Sequence, residues 1–274
     1  MDVLISVDME GVAGIATRGQ TRPDGRDYAI GRALMTAEAN AAIAGAFDGG
    51  ATSVVVNDSH GPMDNLLGEQ LDPRADYVVG APKPLDMVQE VTPHTGVLLF
   101  VGYHAGAADP SGVLAHTYSG AMFADVRLNG SPISEAELNA LMAAAAGVPV
   151  GLVTGDDVIC AVAEKAFPGV VTVAVKSALG RTAARTRHPA AAREAIAAGA
   201  RRAVAAAASG AIQPVPIPGE LVIEADLRPN GAAELPARVP GTERVGAATV
   251  RFQAASPRQA MDVLNIWATL AAST

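Results

Sequence analysis

Short apolar runs alternate with segments of helical periodicity along the first half of the chain. The apolar runs predict strands at residues 3–7, 53–57, 97–102 and 150–154. Between the first two, Ile30, Leu34 and Ala37 begin a helical repeat. It predicts a helix over residues 28–47 that stops at Gly49-Gly50. Because strands joined by crossover helices form parallel sheets, we predict an α/β fold with a mainly parallel sheet and flanking helices.

The second half of the chain predicts further helices, further extended segments and one proline-rich segment. Ser134 and Glu137 form an S-x-x-E capping box, which begins a helix that ends near Ala146. Further helices are predicted over residues 158–167, 189–208 and 256–270, and extended segments over residues 170–175, 220–225 and 247–253. Three prolines at alternate positions in residues 213–219 exclude a helix or a central strand. We therefore expect two lobes, with a candidate boundary near residues 211–219.

Composition and charge exclude several classes of protein. The 274 residues include 20 Lys+Arg and 28 Asp+Glu, a net charge of -8, and no basic cluster of the kind that binds nucleic acid. We see no signal peptide and no apolar run of the roughly 20 residues that cross a membrane, so we expect no membrane association. The one cysteine, Cys160, excludes an internal disulfide and a cysteine-based zinc site, and it is consistent with the cytoplasm.

Three polar clusters follow three of the predicted strands. They are Asp8-Met9-Glu10-Gly11, Asn57-Asp58-Ser59-His60 and Tyr103-His104-Ala105. Ligands of open α/β sheets bind at the carboxyl ends of the strands, where these clusters lie. Two carboxylates and two histidines suit zinc, and a bridging carboxylate suits a pair of ions. The alternative is that these residues cap helices and complete loops, but three such clusters at successive strand ends favour a metal site.

The other candidate residues have more ordinary interpretations. His116 is undecided on spacing alone, and His94 and His188 lie beside prolines in predicted surface loops. Glu135 opens a helix, where a carboxylate is favoured by the helix dipole, and Asp156-Asp157 precedes a helix as a cap would. The chain lacks a G-x-G-x-x-G motif, a P-loop and a G-x-S-x-G elbow, which argues against dinucleotide, P-loop and simple serine-hydrolase chemistry.

Four motifs in order join these clusters to a known family. They are Ser6-Val7-Asp8-Met9-Glu10-Gly11, Asn57-Asp58-Ser59-His60, Gly102-Tyr103-His104-Ala105, and Glu135 with Leu138-Asn139-Ala140. With them the sequence resembles, nearly from end to end, the zinc-dependent D-aminopeptidases of the DppA type. The resemblance makes residues 1–274 a single catalytic unit. It implies cleavage at a free amino terminus, a preference for short peptides that begin with D-alanine, and a homodecamer whose sites open to an inner channel.

The resemblance also implies a two-zinc site. In it Asp8 bridges both ions, Glu10 and His60 complete one, and His104 and Glu135 complete the other. His116 matches an additional active-site histidine. Two zinc ions can share a water and hold the resulting hydroxide against a peptide carbonyl. His116 would then donate to the oxyanion or protonate the leaving amine, two roles between which the sequence leaves the choice open.

Two alternatives share parts of this interpretation. A metallo-amidase or a phosphoesterase would use the same two-metal site on another bond, although the clusters show no neighbouring arginine or lysine that would clamp a phosphate. A metal- or peptide-binding protein would hold the same ions without turnover.

Overall fold

The computed structural model describes residues 1–228 and 232–273. The strands are β1 (Asp2–Val7), β2 (Ser53–Asp58), β3 (Asp76–Val78), β4 (Thr95–Tyr103), β5 (Phe123–Leu128), β6 (Ser131–Pro132), β7 (Val150–Asp156), β8 (Val171–Gly180), β9 (Ala183–Thr186), β10 (Leu221–Leu227), β11 (Thr242–Arg244) and β12 (Thr249–Ala254). The helices are α1 (Arg18–Thr21), α2 (Tyr28–Asp48), α3 (Glu135–Ala144), α4 (Asp157–Ala166), α5 (Pro189–Ala208) and α6 (Pro257–Ala272).

A seven-stranded sheet forms the centre of the fold, in the order β3-β2-β1-β4-β7-β8-β9. All of its neighbouring strands are parallel except β9, which returns antiparallel to β8. The predicted α/β fold with a mainly parallel sheet is therefore confirmed. A second, antiparallel sheet has the order β11-β12-β10-β5-β6.

The side chains of the central strands alternate between two buried cores. Val3 and Ile5 of β1 belong to the core under α2 and α5. Leu4 belongs to the core that α3, α6 and the second sheet complete on the other face. This period of two follows from the alternate directions of side chains along a strand. Asp8 and Glu10 follow directly after the end of β1.

Small residues let the helices of one face approach each other closely. A Cβ on Gly45 of α2 would clash with the backbone carbonyl of Ala197 in α5. The high alanine content of α5 serves the same close packing. Among the described residues, no helix is long and apolar enough to span a membrane.

The proline-rich segment has no regular structure, but it does not divide the two sheets along the chain. The second sheet draws β5 and β6 from before residues 211–219 and the strands β10, β11 and β12 from after them. The two sheets are therefore interleaved in sequence, and a division into two lobes with a boundary near residues 211–219 stays a prediction. The pattern analysis did not predict β5, because Asp125 and Arg127 interrupt its apolar character.

Candidate metal centre

The three polar clusters meet at one edge of the central sheet. Asp8 follows β1, His60 follows β2 and His104 follows β4, and these strands are neighbours in the order β2-β1-β4. The carboxyl ends of parallel strands therefore bring side chains together that are far apart in sequence. Gly11 allows the close approach of two of these segments, since a Cβ there would clash with the carbonyl oxygen of Tyr103.

His60 contacts both carboxylates of the first cluster. Its Nδ1 lies 3.2 Å from Asp8 Oδ1 and 2.8 Å from Glu10 Oε2. Its Nε2 donates a hydrogen bond of 2.7 Å to the carbonyl oxygen of Thr21 in α1. Because a carbonyl only accepts, the proton of a neutral His60 ring is on Nε2, and the lone pair of Nδ1 faces the carboxylates.

His104 lies between the other pair of acids. Its Nε2 lies 3.3 Å from Asp8 Oδ2 and 3.5 Å from Glu135 Oε1. Its Nδ1 donates to the carbonyl oxygen of Ala105 at 2.9 Å. Its Nε2 therefore directs a lone pair at two carboxylates when the ring is neutral. Glu135 is the first residue of α3, and its Oε1 also accepts from the backbone nitrogen of Tyr118 at 2.7 Å.

His116 stacks on His104 at the border of this group. The two rings have a centroid distance of 4.1 Å and an interplanar angle of 12°. The Nδ1 of His116 donates to the carbonyl oxygen of Leu114 at 2.9 Å, and its Nε2 lies 3.6 Å from Glu135 Oε1. Its side chain keeps 21% exposure, against 10% for His60 and 1% for His104. His116 is thus the histidine of the group that a substrate reaches most easily.

Buried ligand atoms without hydrogen-bond partners face each other at the centre of this group. In the described part of the chain they include Asp8 Oδ2, Glu10 Oε2 and His104 Nε2. The residues offer two sets of three ligand atoms, and within each set all atoms lie within 4.8 Å of one another. One set comes from Asp8, Glu10 and His104, and the other from His104, His116 and Glu135. Zinc bonds of about 2.0–2.2 Å in a tetrahedron separate ligands by roughly 3.3–3.6 Å, close to the distances found around His104.

The donor chemistry of the group also fits a cation. Each of the three histidines is tethered through one nitrogen to a backbone carbonyl, which is the arrangement that orients metal-binding imidazoles. Carboxylates and lone pairs directed at one space repel each other unless a cation or protons lie between them. The residues present therefore fit zinc.

The pKa values of the group show that positive charge stabilises it. Burial raises the pKa of Asp8 to about 7, and the negative charge of Glu10 adds to the shift. Burial alone would lower the pKa of His104, but the carboxylates of Glu135 and Asp8 outweigh it and raise that pKa to about 10. Burial and then the positive charge of His104 lower the pKa of His116. The nearby histidines lower the pKa values of Glu10 and Glu135, so without a metal the protons of the group lie on its histidines and on Asp8 rather than on these two glutamates.

Two cavities open on the group, and His116 lines both. One of about 380 Å³ is also lined by Asp8, His60 and Glu135, and it contains the side chains of Lys83 and Asp86. The other, of about 220 Å³, is lined by Glu10 and by three arginines, Arg18, Arg22 and Arg181. The expectation that the clusters lack a neighbouring arginine or lysine is therefore wrong. It failed because these cations come from other segments of the chain.

A buried lysine supports the first cluster from beneath. Lys176 of β8 is 2% exposed, and its Nζ donates to the carbonyl oxygens of Glu10, Val12 and Ile15. These hydrogen bonds fix the backbone of the segment that contains Glu10. Lys176 was not among the predicted site residues, although a lone lysine inside an apolar strand was a usable signal.

All six candidate site residues come together, and the other candidates have structural roles. Asp156 caps α4, with its Oδ1 accepting from the backbone nitrogen of Ile159 at 2.9 Å. His94 and His188 are exposed, as predicted, and Cys160 is buried. Ser134 and Glu137 form the predicted capping box at the start of α3.

Comparisons with known proteins give consistent results. The model of a family described as D-aminopeptidase matches residues 1–266. A curated relative, the D-aminopeptidase of Bacillus subtilis (strain 168), is 38% identical over 278 residues, which cover 100% of this chain and 99% of the relative. The solved structure of the Zn-dependent D-aminopeptidase DppA from Bacillus subtilis, a self-compartmentalizing protease, aligns with a TM-score of 0.92 at 36% identity. That alignment covers 100% of this chain and 99% of DppA.

Proposed function

Because the chain belongs to the zinc-dependent D-aminopeptidase family, we propose that it releases the N-terminal residue of short peptides at a site for two zinc ions. The chain is a metallo-aminopeptidase, and the number of ions and the preference for D-alanine are the proposed part. One observation supports the ions above the others. Buried oxygens of Asp8 and Glu10 and the Nε2 of His104 face one space without a hydrogen-bond donor.

We assign the ligands in two groups that share Asp8. Its Oδ1 lies near His60 and its Oδ2 near His104, so its two oxygens face opposite halves of the site. Glu10 and His60 would complete the first half, and His104 and Glu135 the second. Ions held by these residues would supply a Lewis acid for the peptide carbonyl and would lower the pKa of a water.

His116 is proposed as the catalytic histidine rather than as a ligand. It is the most exposed of the three histidines and lines both cavities, so its ring reaches the space where a peptide lies. The bond from Nδ1 to the carbonyl oxygen of Leu114 holds the ring and leaves Nε2 free to exchange a proton. Because its pKa is lowered, His116 is neutral near pH 7. Its Nε2 can take a proton there and pass it to the leaving amine.

A peptide panel tests the function. The zinc-loaded protein is incubated with matched D- and L-alanyl and glycyl di- and tripeptides, and released amino acids are measured together with zinc per chain. We expect two zinc ions per chain and the fastest release from D-alanyl peptides. A binding protein without turnover would yield no amino acid from any of them, and equal rates for D- and L-alanyl peptides would refute the stereospecificity.

A variant of His116 tests its assignment. His116→Gln should retain zinc but lose about 10²- to 10⁴-fold in kcat, the usual contribution of a general acid or base. The exposed His94 provides the control, because His94→Gln should keep both zinc and activity. Loss of one zinc ion in His116→Gln would instead make His116 a ligand.

We also propose that the chain assembles as a homodecamer, by extension from the self-compartmentalizing relative. Ten chains of 27.7 kDa would have a mass of about 277 kDa. Exposed apolar side chains that contacts between chains can cover include Ile30, Tyr77 and Leu179. Analytical ultracentrifugation measures the mass, and a monomer at all concentrations would contradict the assembly.

A further inference from the structure

The smaller cavity joins the metal centre to a group of arginines. Glu10 and His116 line it on the side of the metal centre. Arg18 begins α1, and Arg181 lies in the turn between β8 and β9. Two segments more than 150 residues apart in sequence therefore place guanidinium groups around a space that borders the catalytic histidine.

Two of these arginines have no acidic partner within the described residues. Arg22 forms an ion pair of 3.1 Å with Asp24, whereas Arg18 and Arg181 take part in none of the ion pairs in residues 1–228 and 232–273. Burial and then the positive charge of Arg18 lower the pKa of Arg181, so the two groups are close enough to repel. In a chain with a net charge of -8, two neighbouring arginines that form no ion pair are unusual, and Glu10, the carboxylate that lines the same cavity, faces the metal centre. An anion between them would offset the repulsion.

The backbone fixes both arginines relative to His116. The carbonyl oxygen of Arg181 accepts a hydrogen bond of 2.8 Å from the backbone nitrogen of Leu114, two residues before His116. Arg18 is the first residue of α1, whose Thr17 and Gln20 form a capping box. The two arginines are thus held beside the site by ordered backbone rather than by flexible loops.

We propose that Arg18 and Arg181 bind the C-terminal carboxylate of a short peptide whose N-terminal residue lies at the metal centre. The inference rests on the proposed peptidase function and names how its substrate is held. Guanidinium groups pair with carboxylates through two parallel hydrogen bonds, which gives both energy and direction. In such a substrate the carboxylate lies within about 3.3–3.6 Å per residue of the scissile bond, so this anchor selects short chains.

The opposite cavity carries the complementary charge. Asp86 is buried there, and its Oδ2 accepts from the side-chain nitrogen of Asn265 at 2.7 Å. Lys83 lies in the same cavity, but its Nζ donates to Asn57 Oδ1 and to the carbonyl oxygen of Asp58, and burial lowers its pKa to about 8. A carboxylate on one side of His116 and arginines on the other orient a peptide with its ammonium toward Asp86 and its carboxylate toward Arg181.

The test compares D-alanyl-glycyl-glycine with its C-terminal amide, which lacks the negative charge. For the zinc-loaded native protein, kcat/KM should be about tenfold higher for the acid, with the difference in KM, since one charge-assisted hydrogen bond in a partly exposed site has about this effect. Arg18→Gln and Arg181→Gln should each reduce kcat/KM for the acid toward the value for the amide and leave the amide unchanged. Arg26→Gln is the control, because Arg26 is exposed, pairs with Asp27 and does not line the cavity.

The outcomes separate this subsite from the function on which it rests. Equal kcat/KM for acid and amide, or a preference that survives both arginine variants, overturns the subsite and leaves the peptidase standing. If neither peptide is cleaved, the peptidase function fails, and the subsite is then decided by calorimetric binding of the acid against the amide. Equal affinities there would reject it, and an affinity for the acid that Arg181→Gln removes would support it.

Discussion

Replacing Lys176 by methionine probes how the fold holds the metal centre. The substitution keeps an unbranched apolar side chain of similar length and removes the ammonium group. In the native protein that group donates to the carbonyl oxygens of Glu10, of Val12 at 3.1 Å and of Ile15 at 2.6 Å. All three belong to the segment after β1 that presents Glu10. The variant leaves these buried acceptors without the ammonium.

The expected loss of stability follows from two opposing contributions. A hydrogen bond to a charged group contributes roughly 1.5–3 kcal/mol, so three of them contribute about 4.5–9 kcal/mol. Burying the ammonium costs several kcal/mol, which the methionine variant does not incur. The difference predicts that Lys176→Met lowers the free energy of unfolding by about 2–4 kcal/mol. Burial lowers the pKa of Lys176 to about 8, and the carboxylates of Asp156 and Glu38, which oppose that shift, would also lose their buried counter-charge.

The assay separates stability from metal binding. Urea unfolding of the metal-free protein, at one fixed protein concentration, gives the free energy, and calorimetric titration gives the zinc affinity. We expect the free energy of unfolding and the zinc affinity both to fall. The zinc affinity should fall by at least about tenfold, because removing a contact that orients a metal ligand has an effect of that size. Lys165→Met is the matched control, since Lys165 is exposed on α4 and should change stability by less than about 0.5 kcal/mol.

One result would refute the reasoning about Lys176. If Lys176→Met and Lys165→Met had equal unfolding free energies and equal zinc affinities, the three carbonyl contacts would not stabilise the segment that presents Glu10. A loss of stability with unchanged zinc affinity would retain the energetic argument and reject the positioning of Glu10.

Further predictions concern single features of the site and its surroundings. His104→Ala removes the imidazole that lies between two carboxylates, so zinc per chain measured by emission spectrometry should fall and peptide release should cease. Gly11→Ala would force a Cβ against the carbonyl oxygen of Tyr103, so the variant should lose its native circular dichroism spectrum or appear in the insoluble fraction. Ser134→Ala removes the cap of α3 and should lower the free energy of urea unfolding by about 1 kcal/mol. Zinc affinity of the metal-free protein should rise from pH 6 to pH 9 in calorimetric titrations, because protons on His60 and His104, whose pKa values are raised, compete with the metal and leave as pH increases.

Sequence reasoning predicted those parts of the fold that depend on local pattern. The four central strands and the long helices α2 and α5 were predicted to within about two residues, because their apolar periodicity is continuous. The second sheet was not predicted as a unit. Its pairing of β5 with β10 joins segments about 100 residues apart, and Arg127 of β5 finds its partner Asp226 only in the folded chain, at 2.7 Å.

The candidate site shows the same division between local and distant information. Asp8, His60 and His104 follow predicted strands directly, so their meeting could be inferred from the rule for carboxyl ends of parallel sheets. Glu135 is different, since its position at the start of α3 suits a helix terminus equally well. The distance of 3.5 Å to His104 depends on how α3 packs, which no local pattern contains.

The hairpin of β8 and β9 brings Lys176 and Arg181, the second a proposed carboxylate-binding residue, to a site whose polar clusters are distant from them in sequence. The hairpin of β8 and β9 places Lys176 beneath the segment of Glu10, while its turn brings Arg181 against the backbone of Leu114. Thr186 at the end of β9 accepts a hydrogen bond of 2.8 Å from the backbone nitrogen of Gly14, which fastens the hairpin to the same segment. One edge of the sheet therefore both positions a proposed ligand and presents the proposed anion anchor. Lys176 lies in β8 and Arg181 lies in the turn of the hairpin. Substitutions in the turn should therefore alter substrate affinity, whereas zinc affinity should change only on substitution of Lys176.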